Sequence, residues 1–112
     1  MAQTIARAAK TIKAEDVLIL DVSKVAGFCD YFVISSGNSL RHTTSIAEAI
    51  YDSLEKSGIK SLSKVPREDE SGWIALDCNS VIAHCFYRPV REFYSLEKLW
   101  SDAKKVKVSA RK

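Results

Sequence analysis

"DYFVISSGNSLRH", residues 30–42, is the stretch of sequence that decides the fold. Its first half, YFVISS, has the aliphatic and β-branched composition of a buried strand, and Gly37 ends that strand. Asn38 or Ser39 can then accept a hydrogen bond from the free N–H groups of a following helix. Many phosphate-binding loops begin in this way. The stretch therefore predicts a strand, a turn and a helix, and it raises the question of whether a nucleotide binds there.

Helices are predicted on both sides of this strand. The segment QTIARAAKTI repeats apolar residues at helical spacing and predicts a first helix over residues 3–13. After Ser39 a second apolar stripe continues until Gly58, which stands where a glycine commonly closes a helix. This stripe consists of Leu40, Thr43, Ile46, Ala47, Ile50 and Leu54.

The remaining apolar segments predict four more strands and a short helix. The segment RPVREFYSLEKLW breaks at Pro89 and then becomes a helix that contains Leu96, Leu99 and Trp100. This order of elements indicates an α/β protein of a single domain, with a mixed β-sheet of about five strands and helices packed on it. The four further strands are DVLILDV (16–22), IKSLSKV (59–65), WIALDC (73–78) and VIAHCFY (81–87).

The last two strands are joined at Asn79 and Ser80, which predicts a β-hairpin of defined register. In that register one face of the hairpin is small and aliphatic throughout, and we expect it to lie under the helices. A three-residue loop would disrupt this pattern, because a shift of one residue moves every side chain to the opposite face. The pairs on the aliphatic face are Cys78 with Val81, Leu76 with Ala83, and Ile74 with Cys85.

The other face of the hairpin, the mixed face, combines large aromatic side chains with an acid and an imidazole. One interpretation is a second core layer, in which Asp77 and His84 form hydrogen bonds inside the protein. The other is a binding patch, because protein interfaces are enriched in aromatic anchors with a few polar groups. Three helices with narrow stripes are too few to cover both faces of the sheet, which favours the patch. The pairs on the mixed face are Trp73 with Phe86, Ala75 with His84, and Asp77 with Ile82.

The residues that nucleotide or metal chemistry requires do not occur at the necessary spacing. Neither the second glycine and lysine of a P-loop nor the three glycines of a dinucleotide loop accompany Gly37. No pair of carboxylates two residues apart follows the turn, as magnesium binding in a nucleotidyltransferase would need. His84 and Cys85 point to opposite faces of a strand and cannot converge on zinc. Cys29 could act as a nucleophile only if the fold brought it to His42 or His84. We therefore predict no catalytic residue, no cofactor and no metal.

Charge is distributed unevenly along the chain. Of the 17 basic residues, five lie in KKVKVSARK at residues 104–112, which contain no acid. The 12 that remain stand against 14 acidic residues, so the rest of the chain is slightly acidic. Because nucleic-acid-binding domains concentrate positive charge on the fold, this balance disfavours an RNA-binding module. We predict a domain over residues 1–103 and a flexible basic tail over 104–112 that contacts RNA at most weakly.

Five motifs stand in order along the chain: AEDVLILDVS, DYFVISSGNSLRH, IAEAI, GWIALDC and VIAHCFYRPVREFYSLEKLW. Together they resemble the ribosomal silencing factors, also called the Iojap family, from about Ile5 to Ala103. The resemblance implies a fold like a minimal nucleotidyltransferase without its metal-binding acids. It also implies a translational repressor that binds the fourteenth protein of the large ribosomal subunit and keeps the small subunit from joining. Organellar relatives help to assemble the large subunit.

The resemblance also implies where the partner binds. The family's binding surface is centred on the strand that begins at Trp73 and on its neighbour, and the segment REFYSLEKLW borders it. Most of the implied strand residues belong to the mixed face, although Leu76 falls on the aliphatic face. The turn Cys78-Asn79-Ser80 stands where relatives often have a glycine. The implied partner-binding residues are Trp73, Leu76, Asp77, His84, Phe86, Tyr87, Arg91, Glu92 and Tyr94.

The combined expectation is a protein without enzymatic activity that represses translation by steric exclusion. The alternatives are a nucleotidyltransferase-like enzyme and a factor that assembles the large subunit. A free face that carries Trp73 and Phe86 also predicts a homodimer when the partner is absent. No apolar run approaches the ~20 residues of a membrane helix, so we expect no membrane association. Three cysteines without a CxxC pair fit a reducing compartment, and we expect the cytoplasm of a bacterium, or an organelle if a targeting segment has been removed.

Overall fold

One mixed β-sheet with helices packed on it organises the protein, which confirms the predicted α/β class and single domain. None of the described helices is long and apolar enough to cross a membrane. The computed structural model describes residues 2–25, 27, 29–59, 71–78, 80–94, 103–106 and 108.

The opening stretch supplies the centre of the sheet. The strand order is β3-β4-β2-β1-β5, and β2 is buried from Phe32 to Gly37 as a central strand should be. β2 and β4 are parallel, whereas the other neighbours are antiparallel. A parallel pair needs a crossover out of the sheet, and α2 forms part of this one. In chain order the elements are α1 (Ala2–Thr11), β1 (Glu15–Asp21), β2 (Tyr31–Gly37), α2 (Leu40–Lys56), β3 (Trp73–Asp77), β4 (Val81–Tyr87), α3 (Arg88–Tyr94) and β5 (Lys104–Val106).

The main core lies between the sheet and the pair of helices α1 and α2. Five of the six residues of the predicted α2 stripe are buried there, from Thr43 to Leu54. Leu40 is exposed, because it is the first residue of the helix. α1 contributes Ile5 and three buried alanines, whose small side chains let it approach α2 closely. Each fully buried aliphatic side chain in this layer stabilises the fold by roughly 1.5–3 kcal/mol relative to exposure.

Both ends of α2 have the expected caps. Ser39, not Asn38, is the N-cap residue, and its hydroxyl oxygen accepts a hydrogen bond of 2.9 Å from the His42 N–H. Gly58 has a positive φ of 77° after the last turn, where other residues would be strained. At Gly37 the reason for glycine is space, because a Cβ there would lie 2.7 Å from the backbone nitrogen of Thr43.

The β3–β4 hairpin has the predicted register at all five paired positions, from Trp73 opposite Phe86 to Asp77 opposite Ile82. The Cys78 N–H continues the ladder by donating to the Val81 carbonyl. The aliphatic face is buried against α1 and α2, as expected.

The fifth described strand is not the predicted one. The predicted strand IKSLSKV lies outside the described residues apart from Ile59, which is not in a strand. Instead β5, at the start of the predicted flexible tail, pairs antiparallel with β1 and places Val106 opposite Ile19. The first three residues of the predicted tail thus form a strand, and Val106 and Val108 pack on the main core. The flexibility of the tail stays a prediction. The domain boundary after residue 103 stays a prediction.

The last helix begins earlier than predicted. α3 starts at Arg88, so Pro89 occupies its first turn rather than interrupting it. Proline is tolerated there, because the first N–H groups of a helix have no intrahelical partner. Its described part ends at Tyr94, and the predicted helix residues Leu96, Leu99 and Trp100 lie outside the described residues.

Candidate protein-binding face

The mixed face lies on the side of the sheet away from α1 and α2. Strand alternation projects Trp73, Ala75 and Asp77 of β3 to this side, next to Ile82 and His84 of β4. Ala75 is exposed, and Trp73 and Asp77 are half-buried. β3, the outermost strand of the described sheet, thus presents its side chains on this face partly to solvent, while β4 supports them from beneath.

Trp73 is fixed in place by three rings. Its indole N–H donates a hydrogen bond of 3.1 Å to Nδ1 of His84. The indole stacks on Phe86 at a centroid distance of 5.0 Å, and Tyr94 lies against it at the same distance with the ring planes inclined at 50°. Such offset and tilted pairs are favourable arrangements for aromatic rings. Trp73 therefore has one defined orientation, although it remains partly exposed.

His84 supports this arrangement from below. It is buried, and the Phe32 ring packs nearly perpendicular to it at a centroid distance of 4.8 Å. Burial lowers the pKa of His84 to about 4, so the imidazole is neutral near pH 7. Because Nδ1 accepts the Trp73 N–H, the proton of the neutral ring resides on Nε2. That buried N–H has no hydrogen-bond partner among the described residues.

The mixed face is in part a buried core layer and in part an accessible surface. Phe86 is fully buried in a second, smaller core with Leu20, Phe32 and Ile34, and the nearly buried His84 packs against Phe32 and Phe86. They are therefore support rather than surface. Trp73 packs against this core but keeps an exposed part.

Two of the implied contact residues lie on the opposite side of the sheet. Leu76 is fully buried under α1 and α2, so the expectation that it shares a contact surface with Trp73 is wrong. Tyr87 points away from the mixed face by strand alternation and is half-buried at the end of β4. The side chains of Leu76 and Tyr87 are therefore on the face of the sheet opposite to that of Trp73.

Arg91 also has an internal role. It is buried, and its Nη1 donates 2.7 Å hydrogen bonds to the backbone carbonyl of Asp16 and to the hydroxyl of Ser36. These bonds tie α3 to β1 and β2. The expectation that Arg91 borders the contact surface is therefore wrong, because its guanidinium is used inside the protein.

A second arginine holds the same helix from outside. Arg88 forms ion pairs of 2.9 Å with Glu15 and 2.8 Å with Asp16. Its hydrogen bond to the Asp16 carboxylate lowers the pKa of that group. Asp16 has a positive φ of 47° at the point where the register of β1 shifts by one residue. This irregularity directs its backbone carbonyl toward Arg91 and its carboxylate toward Arg88.

The outer face of α3 is exposed. Glu92, Phe93 and Tyr94 are all accessible, and Phe93 is 82% exposed. The Phe93 and Tyr94 rings pack nearly perpendicular to each other at a centroid distance of 5.2 Å. Sequence reasoning included Glu92 and Tyr94 but missed Phe93. The sequence does carry a signal for Phe93, because Phe93 and Tyr94 are consecutive on a helix. Two aromatic residues at consecutive helical positions cannot both lie in one buried stripe, so at least one of them is expected to be exposed.

The opening stretch uses its polar groups internally. Nδ1 of His42 accepts the Asn38 N–H at 3.0 Å, and its Nε2 lies 2.7 Å from the Ile12 carbonyl, to which it donates. The turn therefore joins β2 and α2 to the end of α1. Among the described residues no group of three His, Cys, Asp or Glu side chains could hold a metal ion.

The cysteine thiols are poor nucleophiles. All three are buried. Burial raises the pKa of the Cys29 thiol, and it raises the pKa of the Cys85 thiol to about 12. Thiols with such pKa values stay protonated near pH 7, and the thiolate is the reactive form.

Comparison with known proteins agrees with this geometry. A family model described as "Ribosomal silencing factor during starvation" matches residues 1–112. The ribosomal silencing factor RsfS of Bacillus subtilis is 40% identical over 91 residues, which cover 81% of this chain and 76% of that protein. A mouse protein named "Mitochondrial assembly of ribosomal large subunit protein 1" is 31% identical over 90 residues, 79% of this chain and 40% of the relative.

Two solved structures have the same fold. A crystal structure from Bacillus halodurans is 28% identical, covers 94% of each chain and has a TM-score of 0.79. One from Chromobacterium violaceum, with 23% identity, covers 97% of this chain and 89% of its own, and its TM-score of 0.83 shows a shared fold. The match of the family model over the whole chain and the identity to the Bacillus subtilis protein lead to one conclusion: the chain belongs to the ribosomal silencing factor family.

Proposed function

We propose that the protein binds the large ribosomal subunit through its fourteenth protein and blocks joining of the small subunit by steric exclusion. Membership of a family named for ribosome silencing supports a ribosomal role. A chain of 112 residues is large enough for this task, because a subunit interface tolerates no intervening mass. The proposed site of action is the cytoplasm of a bacterium, where subunits join.

The fixed, partly exposed Trp73 is the observation that carries the proposal. Tryptophan is enriched among the few residues that dominate binding energy in interfaces. Its orientation is already set by the His84 hydrogen bond and by the Phe86 and Tyr94 rings. Little conformational entropy is then lost on binding, and a preorganised anchor binds more tightly for that reason.

The charges around Trp73 suit a basic partner. Asp77 lies at the other end of β3, and Glu92 lies on the exposed side of α3. Ribosomal proteins are generally basic because they lie on RNA. Acidic groups at the rim of the surface would therefore attract the partner, mainly through a faster association rate.

Sedimentation tests the proposal directly. The protein is mixed with separated subunits and with whole ribosomes, and we expect it to sediment with large subunits and not with whole ribosomes. In a joining assay, large subunits preincubated with the protein should fail to form whole ribosomes. Leu40→Ala, on the far side of the sheet, serves as the control variant because it changes an exposed apolar residue away from the mixed face. Equal binding to joined ribosomes would contradict steric exclusion.

A role in assembly of the large subunit is the second candidate, because the mouse relative is named for it. The two roles differ in the particle bound. A silencing factor should bind mature large subunits, whereas an assembly factor should prefer incomplete ones, and sedimentation with both kinds of particle separates them.

A nucleotidyltransferase-like enzyme remains the alternative from a different class. Calorimetric titration with magnesium and nucleoside triphosphates tests it. Measurable binding that is lost on substitution of Asp21 or Asn38 would favour the enzyme over the silencing factor.

A further inference from the structure

β5 gives the basic end of the chain a fixed starting point. Residues 104–112 contain five basic residues and no acid. The first two, Lys104 and Lys105, lie in β5, which pairs antiparallel with residues 19–21 of β1. Val106 of the same strand packs on the main core. The positive charge therefore begins at a defined edge of the sheet and not on a loose chain end.

The two lysines of β5 are exposed, and they project to opposite sides of the sheet. Lys104 is opposite Asp21, whose carboxylate partly offsets its charge. Lys105 is opposite Leu20 and lies on the side of the mixed face, as does Ala103, which packs against the smaller core. Within the part of the chain that the structure describes, Lys105 forms no ion pair. Its charge is therefore available to a partner.

β5 and β3 lie at opposite edges of the described sheet. Four strand spacings of ~4.8 Å put these edges roughly 19 Å apart. The sign of the charge changes over this distance, because Asp77 and Glu92 lie on β3 and α3, whereas β5 carries lysines. A protein that docks on Trp73 need not cover β5, so this edge is available for a second contact.

We propose that the β5 edge is a second docking point, at which Lys104 and Lys105 contact the phosphate backbone of RNA in the large ribosomal subunit. The inference rests on the proposed function, since basic ribosomal proteins lie on RNA and a partner of this kind brings phosphates close to the bound protein. Lysine amines bind closely spaced phosphates without reading the base sequence, which suits two exposed lysines on a short strand. The ordinary function of lysines on an edge strand is to prevent two copies from pairing edge to edge, and neutral substitution separates the two roles.

The affinity for whole large subunits at several salt concentrations tests the inference. The double variant Lys104→Gln/Lys105→Gln should bind about fivefold more weakly at low salt, and the slope of log K against log salt should fall by about 2, since each phosphate contact adds ~0.9. Its affinity for the isolated fourteenth protein should equal that of the wild type, because this probe contains no RNA. Lys10→Gln/Lys56→Gln is the matched control, an equal change of charge at exposed positions of α1 and α2, and it should bind large subunits like the wild type.

The outcomes separate this inference from the proposed function. If the β5 variant loses no more affinity for large subunits than the control does, the inference is wrong and the proposed function stands. If the β5 variant binds the isolated protein as weakly as it binds subunits, the edge contacts protein and not RNA, and the inference is again wrong. Self-association of the β5 variant with unchanged affinity for subunits would show that the lysines only protect the edge. If the wild type does not bind large subunits, the proposed function is wrong as well.

Discussion

The hydrogen bond from Trp73 to His84 helps to set the orientation of the half-buried indole and the tautomer of the imidazole. From sequence alone, a histidine beside a cysteine suggests a ligand or a contact residue. In the structure His84 is a buried, neutral acceptor for the Trp73 N–H. This role depends on Phe32 from β2, which encloses the imidazole. A neighbour from a distant strand cannot be inferred from the spacing of residues along the chain.

Acid should destabilise the protein through His84. Its pKa is about 4 in the folded protein and 6.5 in the unfolded chain, so the unfolded state binds the proton first. The stability from the neutral ring is complete above pH 6.5 and is lost as the pH falls from 6.5 to 4. The expected loss is roughly 3 kcal/mol, at ~1.4 kcal/mol per pH unit.

Urea unfolding at several pH values measures this loss. His84→Gln keeps a side-chain acceptor for the Trp73 N–H and removes the titration, so its stability should vary much less over the same range. Equal pH dependence in both proteins would show that another group is responsible.

At the scale of elements, the β3–β4 hairpin was predictable, whereas the start of α3 and its packing on the sheet were not. Strict alternation and a short turn determine which hairpin side chains share a face, so the register followed from the sequence. Leu76 was placed on the wrong surface by the resemblance, although its alternation already indicated the buried face. β5 was missed because its lysines suggested a tail, while Val106 and Val108 alternate with them as in a strand.

Arg91 illustrates the part that sequence could not supply. One of its hydrogen-bond acceptors is the carbonyl of Asp16, which lies 75 residues earlier in an irregular part of β1. Neither the irregularity nor the contact has a local signal. A charged residue on a short amphipathic segment is ordinarily solvent-exposed, and only the packing of α3 on β1 and β2 buries this one.

Arg91→Ala should destabilise the protein by roughly 2–3 kcal/mol, because two hydrogen bonds are lost, one of them to the buried Ser36 hydroxyl and the other to the partly buried Asp16 carbonyl. Arg88→Ala is the matched control on the same helix. Its ion pairs are exposed to solvent, so the expected loss is below ~1 kcal/mol. Chemical unfolding of the two variants checks the order. If Arg88→Ala cost more stability than Arg91→Ala, the outer ion pairs would be the main attachment of α3.

At the scale of the whole molecule, the two faces of the sheet are covered to different extents. α1 and α2 cover one face and supply most of the core. The other face has a smaller core, the half-buried ring of Trp73 and the exposed rings of Tyr94 and Phe93. The sequence predicted this division from the composition of the hairpin, but it could not show that α3 extends the exposed part.

The isolated protein should form a homodimer that buries part of the mixed face, because an exposed aromatic cluster is a liability in water. Analytical ultracentrifugation at micromolar concentration measures it. Addition of the ribosomal partner should dissociate the dimer, since both use the same face. A strict monomer at all concentrations would count against an exposed apolar face.

Charge should act mainly on the rate of association. Asp77→Asn should slow binding to the ribosomal partner and make the association rate less dependent on salt, because the variant loses a long-range attraction that salt screens. At ~0.15 M salt this attraction extends only ~8 Å, so the effect should appear mainly in the association rate. Asp52→Asn, an equal change of charge on the exposed side of α2, should have little effect. Stopped-flow rates at several salt concentrations compare them. Equal slowing by both variants would mean that net charge, not the position of Asp77, governs association.

The affinity of Trp73→Ala for the isolated fourteenth protein of the large subunit tests the central claim most directly. We expect a loss of at least ~2 kcal/mol, about 30-fold in Kd, as for the loss of an aromatic anchor. Circular dichroism and chemical unfolding give the folded fraction, so that affinity is expressed per folded molecule. If affinity per folded molecule is unchanged while the variant loses stability, Trp73 is a core residue and the protein does not dock through this face.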